Sequence, residues 1–315
     1  MIVVTGGAGF IGSNLVRELN RRGLERLVVV DDPQHRGLPG NLAGCRMAAL
    51  LSPEAFRRQL LDGRLRAPLR AIFHLGACTD TTLDDSRFML RNNFEYSRDL
   101  LDWCVAEGVP LIYASSAAVY GAHSGCPEDP RFEQPLNVYA ESKLRVDQVV
   151  RERLAGEHSQ IVGLRFFNVY GPGEGHKQAM ASVAYHFYQQ ILGRGRARLF
   201  DACDGFEAGE HRRDFLHVDD ALRVMLWFFD HAERSGVFNV GTGRSRSFND
   251  VARAVIAWLG RGDIEYVPFP ERLSGRYQAH TEADLSALRG AGYTQPFMAL
   301  EDGVAAYLRR LEPQA

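Results

Sequence analysis

The stretch Ile2-Val3-Val4-Thr5-Gly6-Gly7-Ala8-Gly9-Phe10-Ile11-Gly12 decides the fold. Its first four residues form a short apolar run without polar alternation, the mark of a strand buried on both faces. Glycines follow at once, with G-x-G-x-x-G at Gly7, Gly9 and Gly12, and an amphipathic stretch then runs to about residue 22. Strand, glycine turn and helix in that order make a phosphate cradle. Glycine permits the tight turn and close backbone approach, and the helix N-terminus offers N–H groups to a pyrophosphate. The same logic expects an acidic residue about 20 positions on, at the end of the second strand, to bind the adenosine ribose. Asp31 stands 19 residues beyond Gly12, directly after Leu27-Val28-Val29-Val30, with Asp32 beside it.

Outward from this stretch, further apolar runs recur at 71–75, 111–115 and 161–166, separated by helical segments such as 83–106 and 138–155. Continuous apolar strands spaced by helices predict a parallel sheet covered on both faces. The expected fold is α/β: a Rossmann-type doubly wound parallel sheet with a smaller α/β substrate-binding lobe. Residues 1–168 with about 213–240 form the dinucleotide-binding domain in this reading, and about 169–212 with 241–315 the lobe; short strands are expected in the later half near 237–240 and 264–267. The run Gly193-Arg194-Gly195-Arg196-Ala197-Arg198 reads as a solvated loop.

Composition narrows the function classes. At 315 residues, 45% hydrophobic, the chain buries a full core without a disulfide or metal staple. A formal charge of -2 with no long run of one sign argues against a nucleic-acid footprint. No apolar run approaches the roughly 18 residues of a membrane span, and the N-terminus lacks secretory-signal features, so a cytoplasmic location is expected. Cys45, Cys78, Cys104, Cys126 and Cys203 are scattered, with no C-x-x-C pair, so neither a disulfide framework nor a metal site is expected.

Of 37 basic residues only two are lysines, Lys143 and Lys177. Arginine cannot lose its proton in a protein, whereas lysine is tunable toward acid/base work, which makes both lysines candidates for chemistry. Lys143 closes Tyr139-Ala140-Glu141-Ser142-Lys143, a phenol and an ammonium four residues apart on one helical face. A nearby cation favours phenolate, so the pair can take or return a proton at a substrate hydroxyl. Ser115 and Ser116, at the end of a parallel strand, are placed to hydrogen-bond the same oxygen. His74 reads as a structural histidine and Cys78 as a small filler.

With T-G-x-x-G-x-x-G from Thr5, Asp31, the Ser115-Ser116 strand end and Y-x-x-x-K in this order, the chain resembles the extended short-chain dehydrogenase/reductase family along essentially its whole length. The stretch Phe166–Lys177, together with 180–184, Gly275-Arg276-Tyr277-Gln278 and Asn137-Val138-Tyr139, resembles the branch of that family that inverts C6 of an ADP-linked glycero-manno-heptose for lipopolysaccharide core precursors. The resemblance implies an NAD(P)-dependent isomerase passing through a 6-keto intermediate. It implies Tyr139 and Lys143 as the dyad, Ser116 as hydrogen-bonding partner of the phenol, and Lys177 as a second acid/base. Cofactor contacts would come from Gly6, Gly7, Gly9, Phe10, Ile11, Gly12, Asp31, Asp32, Leu75, Gly76, Ala77, Cys78, Thr79, Asn92, Lys143, Val169 and Lys177. The ADP-sugar would meet Asn168, Ala179, His186, Phe200, Asp201, Ala202, Cys203, Arg213 and Tyr277. The resemblance also implies a homo-oligomer, a homopentamer, with no nucleic-acid or membrane partner.

Two departures stand out: Ala179 replaces the family's serine, and extra residues surround Glu207–His211. On the cofactor, residues and resemblance pull apart. Asp31 and Asp32 read alone favour NAD by repelling a 2′-phosphate, whereas the resemblance implies NADP, with Arg36, or Arg46 if its loop folds back, as the compensating cation. The alternatives are another nucleotide-sugar 4-epimerase, a dehydratase, or a non-catalytic NAD(P)-binding regulatory protein. The dehydratases of the family resemble one another in carboxylates after the strand-end serines; Ala117-Ala118 stand there.

Overall fold

Ile2–Thr5, Leu27–Val30 and Ala71–His74 are buried along their whole length. Each is an inner strand of one seven-stranded sheet, so every backbone N–H and C=O has a ladder partner and both faces are free to carry apolar side chains. The sheet order is Gly236–Val240, Ile161–Phe166, Leu111–Ser116, Ala71–His74, Ile2–Thr5, Leu27–Val30, Ala49–Leu51. The pairs from Leu111–Ser116 to Ala49–Leu51 are parallel. On one face Val3, Val28, Val30 and Ile72 join Phe56, Leu60, Leu100, Leu101, Val146 and Val150 in a single core. Phe73 points to the other face, its ring 5.5 Å from Phe229. Burying each such side chain is worth about 1.5–3 kcal/mol, which is what holds helices to both faces.

The computed structural model describes residues 1–65, 68–81, 83–123, 125–154, 156, 159–203, 205–270 and 278–312. The chain divides into two compact units: Met1–Val119 with Pro135–Arg165 and Leu222–Phe238, and Tyr120–Gln134 with Phe166–Ala221 and Asn239–Ala315. In the first unit the chain runs outward from Ile2–Thr5 to Ala49–Leu51, then returns to Ala71–His74 on the other side of the starting strand. The loops leaving Ile2–Thr5 and Ala71–His74 therefore diverge at a topological switch point, where doubly wound sheets bind ligands. Ala49–Leu51 escapes a periodicity reading because it is three residues long and half-exposed.

In the second unit Asn168–Tyr170, Arg212–His217 and Ser245–Ser247 form a three-stranded sheet, and Arg196–Phe200 pairs in parallel with Asp263–Val267. Phe187, Ile191, Val251, Val255, Val304 and Leu308 pack between its helices. The Gly193–Arg198 run is not the loop expected from its charge. Gly195 takes the left-handed position that closes helix Val183–Arg194, and Arg196–Phe200 is a strand with Ala197 and Leu199 buried while Arg196 and Arg198 face solvent. Alternating burial, with no net apolar run, hides a strand of this kind.

Candidate active site

The switch-point loops touch. Gly6 adopts φ +66°, and a Cβ there would lie 2.6 Å from the Gly76 nitrogen, while a Cβ on Gly12 would run into the Gly6 carbonyl oxygen. Gly7 has a different task, because its missing Cβ leaves room for Val29 of the neighbouring strand. Gly9 is the N-cap of helix Phe10–Arg21, and no side chain caps that end. Among the described residues a Cβ on Gly9 would meet only the Gly6 oxygen, which leaves space over the helix N-terminus. An uncapped N-terminus under an open glycine fits a pyrophosphate, whose oxygens would accept the N–H groups.

Asp31 is buried and fixed from both sides. Its Oδ2 accepts the Ala8 N–H at 2.7 Å and its Oδ1 the Asp32 N–H at 2.8 Å. Asp32 serves its own turn instead, accepting the Gln34 N–H on its side chain and the His35 N–H on its carbonyl. Arg36 is exposed. Arg46 makes an exposed ion pair with Glu25 at 2.9 Å.

The Leu75–Thr79 segment is held by a relay. The Gly76 N–H donates to Thr5 Oγ1, which leaves the hydroxyl proton for His74 Nδ1 at 2.7 Å. His74 then donates from Nε2 to Ser97 Oγ, which donates to the Asn93 carbonyl. Burial pushes the His74 pKa down to about 3, with the Lys143 charge adding to the shift, so the ring stays neutral. Asn93 sits on a π-helical turn, Leu90–Glu95, fully buried. It accepts the Cys78 N–H, donates to the Cys78 carbonyl and donates to Ser142 on helix Val138–Leu154. Asn92 is half-buried and donates to Asn93. The sequence reading named Asn92 and missed Asn93; two adjacent asparagines carry no local sign of which one faces inward.

Helix Val138–Leu154 begins where Asn137 Oδ1 accepts the Ala140 N–H at 2.8 Å. Tyr139, Lys143 and Asp147 follow at intervals of four along one face. Burial raises the Tyr139 phenol, and a hydrogen bond from Ser116 acts in the opposite direction. Lys143 does not bond the phenol; its Nζ donates to the Ala114 carbonyl at 2.9 Å. Burial lowers its pKa to about 8, with Asp147 opposing the shift. The two strand-end serines part company: Ser116 reaches the phenol, whereas Ser115 donates to Asp147 Oδ2 at 2.8 Å. Asp147 also accepts from Tyr113 and from Arg165, each at 2.8 Å, and both Asp147 and Arg165 are fully buried.

The second unit holds the other expected residues. Asn168 is exposed and Val169 half-buried on strand Asn168–Tyr170, which pairs with Phe215–His217. Lys177 lies within a 3-10 turn, Gly175–Met180, half-buried, and burial lowers its pKa while Glu174 opposes the shift. Ala179 is exposed, and His186 is half-buried on helix Val183–Arg194. Arg213 is buried, with its guanidinium 5.7 Å from the Phe248 ring centre. Phe200 packs edge-on to Phe269, His211 stacks on Phe206, and Asp201 and Ala202 are exposed beside Cys203. The extra residues fold back on this strand: Gly209 donates to the Phe200 carbonyl, and Asn249 holds Ala208 and Glu210. Tyr277 lies outside the described residues. Asp214, absent from the sequence reading, is fully buried and accepts four bonds from Thr242, Gly243 and Ala283, which tie Arg212–His217 to two neighbouring segments.

A switch-point glycine cradle, a fixed acidic residue after the second strand and a Tyr-Lys helix define a nicotinamide-dependent sugar-nucleotide enzyme class, and the family model for the NAD dependent epimerase/dehydratase family matches residues 2–241. The chain belongs to that family. It is 54% identical over 308 residues, 98% of this chain and 96% of the relative, to the ADP-L-glycero-D-manno-heptose-6-epimerase of Alkalilimnicola ehrlichii. Among solved structures it is similar to the Helicobacter pylori ADP-L-glycero-D-manno-heptose-6-epimerase, with TM-score 0.83 and 30% identity over 98% of this chain and 95% of that one. It is also similar to MoeE5 in complex with UDP-glucuronic acid and NAD, with TM-score 0.79 and 26% identity over 99% of both chains.

Proposed function

We propose that the chain inverts C6 of an ADP-linked glycero-manno-heptose. The observation that carries this reading is 54% identity, over nearly the whole chain, to a relative named for that reaction. The site chemistry supports it. Gly6, Gly9 and Gly12 with the Leu75–Thr79 segment would hold a nicotinamide dinucleotide, which supplies the hydride acceptor and donor that inversion of an unactivated carbon requires. Tyr139, once ionised, takes the C6 hydroxyl proton as the carbon is oxidised to the ketone. Ser116 holds the same oxygen. Lys143 offers its ammonium to the nicotinamide ribose while setting the charge around Tyr139. After the carbonyl end turns, the same hydride would come back to the opposite face of the carbon while Lys177 gives the proton to its oxygen, so no net oxidation occurs. Ala117 and Ala118 supply none of the carboxylates that water loss would need.

Purified protein incubated with ADP-glycero-manno-heptose in deuterium oxide is expected to invert C6 without consuming added cofactor and without solvent deuterium at C6. Deuterium at C6 would replace the hydride route by a carbanion route, and an unchanged sugar would remove the substrate assignment.

The cofactor in this reading is NADP, with Arg36 as the cation for the 2′-phosphate. Arg36 is exposed in the turn that follows Asp31, and the Asp31 oxygens each hold a backbone N–H. A charge-assisted bond of about 1.5–3 kcal/mol predicts that Arg36→Ala weakens NADP binding by about 10-fold to 100-fold and leaves NAD binding unchanged. Titration of apo-protein checks it; wild-type protein binding NAD as tightly as NADP, or a variant with unaltered NADP affinity, refutes it.

A further inference from the structure

We propose that Glu174 is a positioning residue for Lys177, a single carboxylate clamping both ends of the loop 171–182 so that the lysine is delivered to the substrate. The inference rests on the acid/base role given to Lys177 above. Glu174 is fully buried. Its Oε1 accepts the Gly171 N–H at 3.3 Å and the Ser182 hydroxyl at 2.7 Å, and its Oε2 accepts the Ser182 N–H at 2.6 Å. The same residue's carbonyl accepts the Lys177 N–H at 2.9 Å. One residue thus joins the loop's entrance, its exit and the backbone of the lysine in its middle.

The loop needs that clamp because its shape is not one the backbone adopts unaided. Gly171 and Gly173 turn at φ +145° and +93°, positions glycine tolerates. Gln178, next to Lys177, stands at φ +52° and ψ -121°, and it is the one non-glycine residue with positive φ among the described residues. Backbone strain of this kind persists only where surrounding bonds over-determine it, and it concentrates at functional sites. A neutral glutamine would be the cheaper buried acceptor. It cannot replace Glu174, because three donors converge on the two oxygens and an amide would turn N–H groups toward one set of them. The carboxylate also favours the charged form of Lys177, against the burial that lowers it.

A double-mutant cycle separates positioning from scaffolding. Glu174→Gln is expected to lower kcat by about 100-fold in the wild-type background, the scale of a misplacement of about 1 Å. In a Lys177→Ala background, with residual turnover followed at high enzyme concentration, the same change is expected to cost no more than about threefold. The far-ultraviolet circular dichroism spectrum stays that of the wild type in both and reports that the chain is folded. Ser182→Ala removes one donor while leaving the carboxylate, and gives a smaller loss with the same dependence on Lys177. Equal factors in the two backgrounds, alongside a large loss from Lys177→Ala itself, would leave Glu174 a scaffold residue and overturn this inference alone. Near-normal turnover of Lys177→Ala would instead overturn the role of Lys177, and this inference with it.

Discussion

Tyr139→Phe is expected to lower kcat by about three orders of magnitude, within the range that a positioned proton-transfer group contributes, while cofactor affinity stays near wild type. The phenol is the one group on the Tyr139 ring that exchanges a proton, and Ser116 hydrogen-bonds it. Phenylalanine keeps the ring and removes only the oxygen. Lys143→Ala gives a contrasting result. Its ammonium is buried, tied to the Ala114 carbonyl at the end of the strand that carries Ser116, and held near neutrality with a pKa of about 8. Removing it takes away the ribose contact proposed for it and the local charge together, so both cofactor binding and turnover are expected to fall. Steady-state kinetics beside cofactor titration decide the matter; an equal loss of cofactor affinity in the two variants would refute the division of roles.

Asp147→Ala is expected to destabilise the protein by about 3–5 kcal/mol, because it removes one member of a fully buried ion pair with Arg165. The carboxylate is the common acceptor for Arg165, Tyr113 and Ser115, which lie on two neighbouring strands of the sheet. Deleting it removes one hydrogen bond from each of three buried donors. Asp147→Asn keeps the volume but not the charge, and is expected to fall between wild type and Asp147→Ala. Adding Arg165→Met to Asp147→Ala is expected to recover much of the loss, since the buried charge that Asp147 neutralised goes with it. Denaturant melts of the four proteins measure this. A loss under about 1 kcal/mol for Asp147→Ala, or additive losses in the double variant, would contradict it.

What could be read from the sequence was what a single contiguous segment enforces. The turn from Thr5 to Gly12 is legible because its demands are local: Gly6 must take a left-handed conformation and Gly12 must have no Cβ beside the Gly6 carbonyl. Asp31 follows from the length of one helix and one strand. Tyr139 and Lys143 share a face because four residues make about one helical turn.

What only the tertiary structure decided are choices between neighbours that look alike. Ser115 and Ser116 are adjacent serines on one strand, and successive side chains on a strand point to opposite faces; which one meets the phenol is set by Asp147, 32 residues away, which takes the other. Asn93 rather than Asn92 turns inward because Cys78 and Ser142, on two other elements, supply its partners. Arg196–Phe200 becomes a strand because Asp263–Val267 comes alongside it. Glu174 carries no motif at all, and its place is defined by donors at Gly171 and Ser182 that a strained loop brings back to it. Steric rules and helix periodicity act over a few residues and so are written in the chain's local order. Buried hydrogen-bond partners act across it, and exist only once the segments that carry them have packed together.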